Sequence, residues 1–228
     1  MLIATQVNNW NEARGVREKA QVYRQRLIAD LRSNERDMRD KQDYYKLVLG
    51  HATAALDAFD RPAAQLGEPF LIDASQATQI YTARPKRFTY DAMVASGDLD
   101  LLGDLGDRVG TYYVLLDNVV YLTAPIPPYR ERFRREIPYD VERPIRAKCS
   151  DVDIKLAHAA FKTILPAKCA VGLDQAAIEL GVARLKAAPE LDRDLSRYVF
   201  FLNQTLAFLR AAERRARDLR QAIEQAEK

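Results

Sequence analysis

Histidine and cysteine occur only twice each in this chain of 228 residues, tryptophan once and glycine nine times. His51 and His158 stand far apart, and neither has a second ligand four residues away in a His-Glu-x-x-His pattern, so no metalloprotease motif is present. Both read as packed or surface histidines. Cys149 and Cys169 are too few for a disulfide scaffold. There is no Walker loop, no G-x-G-x-x-G and no G-x-S-x-G, which removes the sequence arguments for a nucleotide cofactor or a serine nucleophile. No enzyme activity, cofactor or metal is therefore expected. No apolar run reaches 18 residues, so no complete transmembrane helix is legible. No basic segment followed by a long apolar stretch and an Ala-x-Ala site marks a signal peptide. Thirty-five Lys and Arg against 32 Asp and Glu leave a net charge of +3, too little to call for a nucleic-acid partner.

What the chain does have is alanine, leucine and arginine, with charges of both signs interspersed, a balance that favours helices. Residues from about Ile3 to Phe59 read as one very long helix. Apolar or small residues recur in steps of three and four, from Val7, Trp10, Ala13 and Val16 through Leu27, Leu31 and Met38 to Val48 and Ala55. The stretch "RSNERDMRDKQD" carries one large apolar residue, Met38, and reads as a kink or a solvated stalk. Pro62, Gly67 and Pro69 end this helix. Short helices are expected in "LIDASQATQIY", starting at Asp73 or Ser75, and in "YDAMVAS", capped by Thr89 or Asp91 and stopped by Gly97.

Leu105 to Leu122 reads as a helix with Val109, Tyr112, Tyr113, Leu116 and Val120 on its apolar face; a strand is the rival, given its β-branched and aromatic content. "YRERFRREI" reads as a short basic helix ended by Pro138 and Pro144, and "DVDIKLAHAAFKTIL" as a helix capped by Ser150. A further helix covers "LDQAAIELGVARLKAA", and Pro189 opens the last one, whose seam runs Leu191, Leu195, Leu202, Leu209, Ala216, Ile223. The fold class that follows is all-α: a helical bundle whose long N- and C-terminal helices pair antiparallel as a coiled-coil-like arm, because each seam needs a partner.

Four clusters bear on chemistry. Asp98, Asp100, Asp104 and Asp107 lie among glycines, but leucines interrupt them and the calcium-loop order fails, so they read as helix caps. Arg130, Arg132, Arg134 and Arg135, interleaved with Tyr129 and Phe133, are diluted by Glu131 and Glu136 and read as a solvated helix face. Arg84, Tyr112 and Tyr113 are the candidate lining of a ligand cavity. Cys149 and Cys169 either pair or stay as buried thiols. A helix kept through Leu165 is about 20 Å long and the four steps to Cys169 return only about 14 Å. That strains the roughly 7 Å limit between disulfide Cα atoms, and the bridge is easier if the helix ends near Ala160.

The opening "LIATQVNNWNEAR" places Leu2, Ile3 and Val7 before Trp10 and then charge, the order of a membrane helix leaving the bilayer. With "REKAQVYRQRLIADLRSN" and "RFTYDAMVASGDLDLL", it resembles a family of uncharacterised bacterial single-pass membrane proteins whose N-terminal helix ends in Val-x-Asn-Trp-Asn-Glu, here Val7, Asn9, Trp10, Asn11 and Glu12. The resemblance implies residues 1–12 as the stub of a membrane anchor, with Leu2, Ile3, Val7 and Trp10 at the interface, and 13–228 as one α-helical domain. It also implies the bacterial inner membrane, with the domain periplasmic or, alternatively, cytoplasmic. The family brings no activity. The expected function is a tethered helical module that binds a protein partner or self-associates through its seams, with a small-molecule sensor domain as the alternative.

Overall fold

No proline precedes Pro62, and the chain before it forms one helix, α1 (Leu2–Phe59). The structure, a computed structural model, describes residues 2–81, 84–155 and 161–226, with side chains at 10–81, 84–155 and 162–226. After α1 come α2 (Glu68–Gln76), α3 (Phe88–Ser96), a 3-10 turn (Asp98–Leu102), α4 (Leu105–Thr123), α5 (Pro128–Glu136) and α6 (Tyr139–Cys149). Two strands, β1 (Val152–Lys155) and β2 (Phe161–Ile164), precede α7 (Gln175–Ala187) and α8 (Leu191–Gln225). The fold is an all-α bundle with one small antiparallel hairpin, and α1 and α8 pack against each other. No helix of the described residues is long and apolar enough to cross a membrane.

The chain packs as two compact units: residues 1–39, 83–121 and 209–228, and residues 40–82 and 122–208. In the first unit, Leu27, Leu31 and Met38 of α1 and Leu209, Ala212, Ala216 and Ile223 of α8 are fully enclosed. Ion pairs fix the antiparallel register beside this seam: Arg32 to Glu224 at 2.8 Å, Glu35 to Arg220 at 2.5 Å, and Arg39 to Glu213 at 3.1 Å. The expected solvated stalk is therefore wrong. Several of its polar residues meet tertiary partners, and Asn34 lies buried with its amide engaged at both ends by the Lys86 main chain, at 2.8 and 2.7 Å. The predicted seam does fail at its start, where Trp10 and Val16 are exposed. Gly97 (φ 70) closes α3 in the left-handed conformation, donating to the carbonyls of Met93 and Val94. Arg87, rather than Thr89 or Asp91, stands at the N-terminal boundary of α3 and caps it with no side-chain bond.

In the second unit, α2 begins five residues before Asp73, with Pro69 in its first turn, where the missing N–H costs nothing. Its Phe70, Leu71 and Ile72 are buried. Gly181 lets α7 approach closely: a Cβ there would come within 3.1 Å of both Leu71 methyls and 3.3 Å of Val141 Cγ1. Pro144 lies inside α6 rather than ending a helix. Pro189 also stands outside α8, which starts at Leu191 after Glu190 turns at φ 63.

The helix expected after Ser150 is instead the hairpin, in register Val152↔Ile164 through Lys155↔Phe161. Val152, Ile154, Thr163 and Ile164 give both strands β-branched character. The hairpin also returns the chain, which a helix cannot do in that length, and brings Cys149 and Cys169 together in a disulfide with Cα atoms 5.7 Å apart. Lys148 Nζ donates to the Val171 carbonyl at 2.6 Å, Lys162 pairs with Asp40 at 2.7 Å, and Tyr44 donates to Asp151 at 3.2 Å.

Candidate functional site

Between Thr123 and Tyr129 the chain reads Ala-Pro-Ile-Pro-Pro. Prolines offer no N–H and hold the preceding residue extended, so this segment is a stiff ridge between α4 and α5. Pro127 sits at φ −63, ψ 138, and α5 starts at Pro128. Ile126, trapped between prolines, is 57% exposed. The other wall belongs to the first turns of α8. Leu195, Tyr198 and Leu202 there face the core, and Phe200 is carried outward, 72% exposed. The Tyr198 ring lies nearly parallel to those of Tyr129 and Phe201, each with its centroid 6.3 Å away. Between the ridge and residues Ser196–Phe201 runs a mainly apolar groove of about 530 Å³.

Its charge is one-sided. Asp194, on the lining, is held by Arg132 Nε at 2.7 Å, and the same guanidinium donates to the Pro189 carbonyl at 3.0 Å. Arg197, also on the lining, is exposed and makes no ion pair among the described residues. A neutralised acid and an uncompensated cation leave the groove net positive. Burial pushes the Tyr198 phenol well above its ordinary range, with the Tyr45 hydroxyl adding to it and Arg130 opposing, so this floor stays uncharged. The arrangement suits insertion of an apolar side chain with a carboxylate beside it.

The sequence-predicted candidates lie elsewhere. Tyr112 lines a cleft of about 450 Å³ with Arg108, Arg215 and Asp218. Tyr113 is fully buried, stacked on Tyr90 at 4.3 Å, and Arg84 is an exposed loop residue; neither lines that cleft. The arginine cluster divides: Tyr129 and Phe133 are buried, Arg130 donates to the Thr78 carbonyl at 2.9 Å, Arg132 pairs with Asp194, and Arg134 and Arg135 are exposed. Of the aspartates, Asp98 accepts from Lys19 at 2.8 Å and Tyr23 at 2.9 Å, and with Ser96 these hold its carboxyl down at about 2. No group of three or more His, Cys, Asp or Glu among the described residues is placed to hold a metal ion. His51 Nδ1 lies 2.7 Å from Asp73, while His158 falls outside the described residues.

Sequence reading missed the groove, although a signal exists. Tyr198-Val199-Phe200-Phe201-Leu202 puts five apolar residues in a row, and a helix face cannot bury all five. At the start of the chain, Trp10 is 58% exposed with the Arg14 guanidinium 5.8 Å from its ring, and the side chains of Leu2, Ile3 and Val7 fall outside the described residues. The chain matches no protein-family profile, no curated protein and no solved structure. Together with the lack of any described helix able to span a bilayer, this overturns the resemblance to a single-pass membrane family and the inner-membrane location drawn from it.

Proposed function

We propose that this chain is a non-catalytic helical binding module whose groove between Pro125–Pro128 and the start of α8 receives an apolar side chain of a partner protein, flanked by a carboxylate. The observation that carries the reading is Phe200, an aromatic 72% exposed on the rim of an apolar groove. Large side chains left wet beside a preformed hollow are typical of interaction surfaces. The proline ridge supports it: a stiff wall loses little entropy when a partner docks. Charge selects the flank, because Arg132 already satisfies Asp194 and leaves Arg197 for the partner's acid.

The test is a random peptide display library panned against the full chain, with recovered peptides titrated against Phe200→Glu and Arg197→Glu. Enriched peptides carry an aromatic or aliphatic anchor next to Asp or Glu. Phe200→Glu weakens them about tenfold or more, as loss of an interface anchor does. Arg197→Glu shifts the preference towards basic flanks. Peptides that bind both variants as well as the parent, or a library that enriches nothing, overturn the reading.

A further inference from the structure

A second hollow lies within the first unit. It measures about 640 Å³ and is formed by one face of α1, the 3-10 turn Asp98–Leu102, and Ala226 just beyond α8. Arg17, Gln21 and Arg24 stand at steps of four and three on α1 and so share that face. Arg24 is half-buried. Its Nε is fully enclosed with no acceptor, and the residue makes no hydrogen bond or ion pair among the described residues. An enclosed guanidinium nitrogen without an acceptor loses its water and gains nothing in exchange. Asp98 of the 3-10 turn offers it no acceptor, being committed to Lys19, Tyr23 and Ser96. Arg17 spends its Nε on the Ala13 carbonyl at 3.1 Å and keeps its outer nitrogens. The remaining wall is apolar: Ala20 and Leu102 are buried, Leu101 is half-buried and Val16 stands at the mouth, 51% exposed.

We propose that this cleft binds a carboxylate bearing an apolar chain, the carboxylate on Arg24 and Arg17 and the chain along Ala20, Leu101 and Leu102. The planar edge of a guanidinium matches a carboxylate with two parallel hydrogen bonds, and the volume falls in the range of small-ligand sites. Asp100, at the rim, disfavours a dianion and selects for a single negative charge.

Isothermal titration of the full chain with sodium decanoate, kept below its micelle threshold, tests the proposal. One molecule binds per chain. Acetate and decanol each bind at least tenfold more weakly, the first lacking the tail and the second the charge. Arg24→Met, which keeps the stem and removes the guanidinium, loses at least tenfold in decanoate affinity, with its fold checked by circular dichroism. Val16→Asp, at an exposed position that leaves the core untouched, places a negative charge at the mouth and weakens decanoate several-fold. Absence of decanoate binding, equal binding of decanol, or unchanged affinity in Val16→Asp and Arg24→Met overturns the assignment.

Discussion

Glu68 accepts the Val171 main-chain N–H at 2.7 Å, and its other oxygen takes that of Leu173 at 2.6 Å. Burial works against the charged carboxylate, but the N–H groups of Leu173, Val171 and Gly172, with Lys148 nearby, outweigh it and hold the carboxyl below its ordinary range. A group whose value is lower folded than unfolded stabilises the fold above its unfolded value, about 4.3 for Glu, and loses that contribution as pH falls through the folded value. Glu68→Gln is expected to lower the urea midpoint at neutral pH, by about 1–3 kcal/mol of stability. Repeating the melts towards pH 2 should close the gap between parent and variant, because the parent loses what the variant never had.

The pair between Arg220 and Glu35 is largely shielded, with side chains 18% and 11% exposed. Arg220→Met strands Glu35 without its main partner and is expected to cost about 2 kcal/mol, somewhat less than for a fully buried pair. The double variant Arg220→Met, Glu35→Met should recover most of that loss in the same denaturation series. Equal midpoints for single and double variants would show that the stranded Glu35 carries no penalty.

Tyr44, Tyr45, Tyr112, Tyr113, Tyr129 and Tyr198 have phenols pushed upward, chiefly by burial. Tyr45 reaches about 12 even though the Tyr81 backbone and Arg130 pull it down. An unfolded tyrosine gives up its proton near pH 10. Above that pH the unfolded state holds fewer protons than the folded one, and stability falls as pH rises. Spectrophotometric titration should show a first set of phenolates appearing gently, and a second set appearing steeply with loss of ellipticity.

Cutting the Cys149–Cys169 bridge frees a loop of sequence separation 20 and should cost about 3 kcal/mol. Reduction of the native chain, or the Cys149→Ser, Cys169→Ser pair, is expected to lower the melting temperature with far-UV ellipticity largely retained, since no long helix depends on the bridge. Denatured, unreduced protein should yield no free thiol.

Legibility followed locality. The start of α4 at Leu105, the stop at Gly97 and the α8 seam were readable because spacing and caps act over a few residues. "RSNERDMRDKQD" misled because its charges look solvated until Arg220 and Glu213, far along the chain, arrive to pair with them. Residues 151–165 misled for a related reason. Their apolar spacing suits a helix locally, but the hairpin is held by Lys162 to Asp40, Tyr44 to Asp151 and the disulfide, none of which is local. The groove is a relation between a proline ridge and a helix some seventy residues later, so only its ingredients could be read beforehand. Nothing in the sequence sets Arg24 apart from the other arginines of α1. Its missing acceptor becomes visible only in the folded chain, where it lines a cleft with Leu101 and Leu102.

The hairpin sits inside a covalent ring closed by sulfur. A protease that nicks the backbone anywhere between Ser150 and Lys168 therefore releases nothing: both fragments travel together on an electrophoresis gel and separate only when thiol is added. Such wear would go unseen in any assay that judges integrity by migration on a gel without reductant.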